Sequence, residues 1–374
     1  MDLSKSQSGP QSITQFELCE SDPKISRKCF NIFMCVACKN NIHPENETAW
    51  KQKNSDIKQI EIRDDRGRTT SDIRDGPASV DVSVVEEYQT TLKGVFQLAV
   101  NTVDYSFWIG DGDHNKELKL FNSHTALQKI KPDGNMLKVI YSYNFHIYDM
   151  AITPGNDLLI ATEGPILKQI SGKNKIKDSV YDLDPYQPLC IHVTKDNNVI
   201  VGAGIEGRKD RIVIVMDQEG NNKKVYDEDM IHGISFTSPL RLTVTNNDNI
   251  FVIDMMHEEH RGRVVVLGQD NIINTYSGQS TINTEDRPFI PSDLTATPAN
   301  NVIVVDMYTS SLHILNSPGN LITYISTTEK GIVQNPFSIC LAMEENVCIL
   351  FMGTITKTDS NEKSKLYKLH LIGC

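Results

Sequence analysis

The chain has 374 residues, 39% hydrophobic and 23% charged, the proportions of a folded protein with room for one large closed domain and a small appendage. Net charge is −11; residues 1–78 hold 12 Lys+Arg against 12 Asp+Glu, so 25 basic and 36 acidic residues fall on 79–374. An acidic body argues against nucleic acid or anionic lipid as the default partner, and the longest apolar runs, such as Ile212–Met216, are far too short to cross a bilayer.

Residues 1–14 carry no apolar signal segment and read as a disordered leader, which leaves the chain in the cytoplasm. The stretch 15–60 holds four of the eight cysteines, Cys19, Cys29, Cys35 and Cys38, with Asp22 and His43 among them. Thiolates, a carboxylate and an imidazole at such spacing are zinc-ligand chemistry, and so short a segment needs a metal or a partner to fold. A lapsed zinc site or a disordered segment is the alternative. Residues 61–78 form a polar linker without heptads, so nothing there dimerises the chain and a monomer is expected.

Within residues 79–374, taken as one domain, a single pattern repeats from residue 96 to the end. A short alternating strand, a turn rich in Asn, Asp, Gly and Pro, and a β-branched strand recur six times, as in Leu242–Val252 and Leu294–Val304. Equivalent positions Val100, Ile152, Val193, Val244, Ala296 and Leu341 are 52, 41, 51, 52 and 45 residues apart, about the length of a four-stranded propeller blade. Each copy continues into a second hairpin, as in Arg263–Tyr276. The fold class is therefore all-β, a six-bladed β-propeller. The last copy has a third strand, Lys365–Leu371, and no fourth. The strand-like segment Val80–Val85, with Val80, Val82 and Val84 on one face, is predicted to complete that sheet and close the ring.

Motif readings are weaker. Gly202, Gly204 and Gly207 spell G-x-G-x-x-G, but a strand follows where a phosphate site needs a helix. His257-Glu-Glu-His260 lacks the zincin spacing and sits among charges. Acidic residues recur after the second strand, at Asp111, Glu163, Asp254 and Asp306; use as loop anchors is favoured over convergence on a calcium ion. With no nucleophile elbow and no P-loop, the chain is expected not to be an enzyme.

The ring, through stretches such as Val85–Thr91, Arg261–Gln269 and Asn301–Met307, resembles the NHL-repeat (TolB-like) propeller that ends many tripartite-motif-like proteins of molluscs. Phe33–Pro44 followed by Asp56–Lys58 resembles a B-box. The B-box resemblance implies one zinc on Cys19, Asp22, Cys35 and Cys38. Cys29 and His43 would be the remnant of a second site whose other ligands are missing, so at most one well-formed zinc is implied. The RING and coiled coil of many such proteins have no counterpart in this sequence. The function this implies is an adaptor that presents a propeller face to a protein partner. The alternatives are an RNA-binding ring, an accessory of ubiquitin-ligase pathways and, less favoured, a calcium-dependent propeller hydrolase. Clustering of Arg208, Lys209, Arg211, Arg261 and Arg263 at one end would favour RNA.

Overall fold

A computed structural model of the chain describes residues 80–111, 126–134, 136–172, 174–227, 235–256, 261–357 and 360–373. The chain divides into Met1–Arg74 and Asp75–Cys374, and every described residue belongs to the second unit. The ligand candidates Cys19, Asp22, Cys29, Cys35, Cys38 and His43, and the His257–His260 stretch, lie outside the described residues.

Apolar, β-branched runs broken by Asn, Asp, Gly and Pro give strands a few residues long, and the described regular structure is all strand. Six antiparallel sheets of four follow one another. The first blade is β2 (Gln97–Asn101), β3 (Ser106–Gly110), β4 (Leu127–Asp133) and β5 (Met136–Tyr143); the second is β6 (Asp149–Ile152), β7 (Leu158–Ala161), β8 (Ile166–Ile170) and β9 (Ile176–Asp182). The third is β10 (Gln187–Val193), β11 (Val199–Gly204), β12 (Arg211–Met216) and β13 (Asn222–Tyr226); the fourth is β14 (Pro239–Val244), β15 (Ile250–Met256), β16 (Arg261–Leu267) and β17 (Ile272–Tyr276). The fifth is β18 (Pro291–Ala296), β19 (Val302–Asp306), β20 (Ser311–Leu315) and β21 (Leu321–Ser326).

The sixth blade is composite. It takes β22 (Asn335–Glu344), β23 (Val347–Ile355) and β24 (Lys365–Ile372) from the end of the chain and β1 (Asp81–Gln89) from before the first repeat, in the order β1-β24-β23-β22. Val82 lies opposite Leu371 and is 1% exposed; Val84 lies opposite Leu369 and is 38% exposed; Val80 packs at the margin of the same core. A bulge between Val84 and Glu86 carries β1 on to Gln89, four residues beyond the Val80–Val85 segment.

The first strands β2, β6, β10, β14, β18 and β22 touch in cyclic order, β22 meeting β2, and so surround the axis. Apolar clusters fill the junctions between blades. Val95, Leu98, Phe107 and Ile109 pack on Ile349, Phe351 and Leu366 across the first and sixth blades, with Phe107 and Phe351 edge to face at 4.7 Å. The turn after the first strand is the same in four blades. Thr153, Thr194, Thr245 and Thr297 each accept a backbone bond from the residue three ahead, and those residues, Asn156, Asn197, Asp248 and Asn300, have φ of 60–65°. Asn and Asp tolerate this left-handed geometry better than other side chains with a Cβ, so the polar turn of the repeat is a conformational requirement.

Candidate functional site on the propeller axis

Three residues before each apolar marker the inner strands place Gln97, Asp149, Cys190, Arg241, Asp293 and Ser338 at one level. Their cross-strand partners, Gly110, Ala161, Gly202, Ile253, Val305 and Gly353, again share one position. All six are buried. In four blades a proline stands two residues earlier, at Pro188, Pro239, Pro291 and Pro336, and the register slips by one residue between it and the site residue. Proline is confined to strand starts and bulges, and a bulge re-aims the side chain that follows. The glycine partners make room: a Cβ on Gly202 would stand 2.5 Å from Cys190 Sγ.

Arg241 crosses the axis. Its Nη2 donates to the carbonyl of Phe96, in the opposite blade, at 2.9 Å; its Nη1 donates to Leu240 O at 2.9 Å and Tyr148 O at 3.4 Å. Its Nε lies 3.7 Å from Oδ1 of both Asp149 and Asp293. The carboxylates also bind the neighbouring inner strands: Ile191 N donates to Asp149 Oδ2 at 2.9 Å and Ile339 N to Asp293 Oδ2 at 2.8 Å. Gln97 Nε2 reaches Tyr148 O, and Ser338 Oγ reaches Val95 O. Strands that share no ladder are thus tied by side-chain bonds around the ring.

One guanidinium faces two carboxylates, and desolvation outweighs its attraction. Burial pushes the Asp293 carboxyl up to about 7 against the pull of Arg241, and burial raises Asp149 in the same way. One level on come Ala99, Ala151, His192, Thr243, Thr295 and Cys340. Ala151, His192, Thr295 and Cys340 there keep partial contact with solvent, while burial pushes the His192 imidazole down to about 4. The axis therefore holds a proton-exchanging carboxyl, a fixed cation and a neutral imidazole, the kinds of group from which acid–base chemistry is built.

A second polar cluster lies between the fourth and fifth blades. His313 Nδ1 meets Tyr276 Oη at 2.7 Å, its Nε2 meets Ser311 Oγ at 3.0 Å, and Asp306 Oδ2 is 3.7 Å from the same Nε2. Serine and aspartate on one nitrogen is not the relay of a hydrolytic triad, where they flank the ring. Burial holds the imidazole down at about 4, and the cluster joins the two blades in place of an apolar contact.

The four acidic positions read from the sequence do not meet on the axis. Asp254 accepts from Thr237 N and Ser238 N at 2.8 and 2.7 Å and pairs with Arg263. Asp306 accepts from Ile290 N, Tyr308 N, Thr309 Oγ1 and Asn283 Nδ2. Asp111 accepts from the backbone of Gly94 and Lys93, and its burial pushes it up to about 7; Glu163 is exposed. Three of the four thus tie a loop to a blade. Gly202 and Gly204 lie in β11, and Gly207 has φ 75° in the turn before β12. The guanidinium of Arg211 is taken by the carbonyls of Ile205, Arg208 and Asp210, and that of Arg263 by Asp254 and Ser235 O. Among the described residues no three His, Cys, Asp or Glu side chains gather to hold a metal ion, and no helix is long and apolar enough to cross a membrane. The axial residues were missed in the sequence. The signal was present at a fixed offset in the repeat, but six different demands give it no consensus.

No protein-family model matches the chain, and no curated protein does. Solved structures do. A candidate gluconolactonase is 12% identical, with a TM-score of 0.52 over 79% of this chain and 93% of its own. A luciferin-regenerating enzyme is 11% identical, with 0.52 over 78% and 95%. A gluconolactonase from Xanthomonas campestris is 9% identical, with 0.51 over 79% and 90%. At such identities the likeness is one of fold, the six-bladed propeller. It corrects the expectation that the chain is not an enzyme, since the rings it is similar to are described as enzymes. The physical reason is that a propeller can gather side chains from strands 41 to 52 residues apart, so the lack of a local catalytic motif excludes nothing.

Proposed function

We propose that the protein is an interaction module of the tripartite-motif-like kind, which takes an extended, acidic segment of a partner protein along the outer edge of its first blade. One observation carries this reading. β5 is hydrogen-bonded only to β4, and it exposes Met136 by 73%, Val139 by 37%, Ile140 by 41% and Tyr141 by 41%. Consecutive apolar side chains on an unpaired edge invite a further strand. β1 lies against β5 and adds the exposed Val84 and Val85. Lys131 and Lys138 stand directly opposite each other and are exposed, a repulsive cross-strand pair that an acidic side chain would relieve. In this reading the ring is a cytoplasmic monomer, and residues 15–60 hold at most one zinc on Cys19, Asp22, Cys35 and Cys38. Peptide display against the whole chain, repeated with Ile140→Asp, tests it. Enrichment of acidic, β-branched peptides that the variant fails to retain is expected. Equal retention by a variant that melts with the wild type would refute it.

A second reading follows from Asp293, whose carboxyl sits near neutrality beside Arg241. It would make the axis a hydrolytic site for a small lactone or ester, the chemistry named by the gluconolactonases of similar fold. Acid release from a panel of lactones, lost in Asp293→Asn, is the expected result. No turnover above buffer by the intact chain refutes it.

A further inference from the structure

We infer that Arg241 is the resident cation of the propeller axis, its guanidinium held by an oxygen set of the kind that elsewhere coordinates a hard metal ion. The set is on view: the carbonyls of Phe96, Tyr148 and Leu240 at 2.9, 3.4 and 2.9 Å, and one carboxylate oxygen each from Asp149 and Asp293 at 3.7 Å from Nε. Carbonyl and carboxylate oxygens from several chain segments are what calcium takes. Here they come from the first, second, fourth and fifth blades, and they contact nitrogen donors that are themselves 96% buried. Calcium on these ligands does not fit while the guanidinium is present.

The wider layout agrees. Asp149 and Asp293 each spend their second oxygen on a neighbouring strand, and Asp293 Oδ1 also accepts from Leu294 N at 2.8 Å, so backbone donors hold both carboxyls turned toward Arg241. Two carboxyls and three carbonyls around a vacated centre would form an oxygen-lined hollow whose carboxyls ionise when a cation enters it. An ordinary buried ion pair makes a different prediction, because it needs only one carboxylate and would leave no ligand set when broken.

Arg241→Ala in the full chain separates the two accounts. The variant is expected to melt several degrees below the wild type. Millimolar calcium chloride or guanidinium sulfate should then raise its melting temperature saturably, while neither salt, nor the calcium chelator EGTA, moves the wild type. Sodium sulfate at matched ionic strength is the control. If the variant is insoluble, refolding yield is read in the same solutions: yield that depends on calcium or guanidinium supports the inference, and loss of yield in all of them overturns it. A variant that melts with the wild type, or that melts lower and responds to no cation beyond the sodium control, overturns it as well.

Discussion

Ring closure through β1 can be tested at two valines of one strand that differ in how deeply they are buried. Val82 is 1% exposed and packs among Ile303, Leu350, Leu369 and Leu371, whereas Val84, two residues on, is 38% exposed. Val82→Ala removes two methyl groups from a filled junction. At about 0.8 kcal/mol each for transfer, plus a cavity term, the cost is about 2–3 kcal/mol. For a ring of this size that corresponds to a fall of about 3–5 °C in Tm. Val84→Ala should cost less than about 0.5 kcal/mol. Calorimetric melts of the two variants and the wild type decide the matter. Equal losses, or a larger loss at Val84, would show that β1 does not pair with β24 in the register of Val82 with Leu371.

Three more predictions follow the same logic. Deleting residues 1–78 should leave the melting of the ring unchanged, while deleting 1–90 removes β1 and should lower it sharply in the same assay; identical melts would disprove a closed sixth blade. The Asp293 carboxyl sits at about 7, above the 3.8 it has when unfolded, so its contribution is present below pH 4 and is lost as pH rises to 7. A displacement of roughly three pH units is worth about 4 kcal/mol. His192 and His313, held near 4, act in the opposite sense: the folded ring loses stability as pH falls from 6.5 to 4. The wild-type profile is therefore flattened, and the difference from Asp293→Asn should fall from pH 4 to 7; a flat difference counts against the assignment. Gly202→Ala would put a Cβ 2.5 Å from Cys190 Sγ and 3.0 Å from Pro239, so a loss of about 1–3 kcal/mol is expected from overpacking, and wild-type stability in a urea titration would contradict it.

The ring was legible in the sequence because each blade is a local unit, and its strand, turn and strand recur at Val100, Ile152, Val193, Val244, Ala296 and Leu341. The role of Asp254 and Asp306 as loop anchors was readable for the same reason, being settled within one blade. The axis was not. Gln97, Asp149, Cys190, Arg241, Asp293 and Ser338 share a position and no chemistry. The partners of Arg241 include the carbonyls of Phe96 and Tyr148, and a backbone oxygen leaves no trace in a sequence. Catalytic potential is illegible on the same ground, since a local motif joins neighbours along the chain and the axis assembles neighbours around a circle.

The composite sixth blade also sets an order of events during synthesis. Asp81 must pair with Ile372, so the strand made first waits for the strand made last, and the apolar faces of Val82 and Tyr88 have nowhere native to go in the interval. Contacts of such long range fold slowly and leave surface open to aggregation. On the ribosome the nascent ring is an open arc with a loose end, so its yield in cells should depend on chaperones that shelter that arc more than on any property of the finished circle.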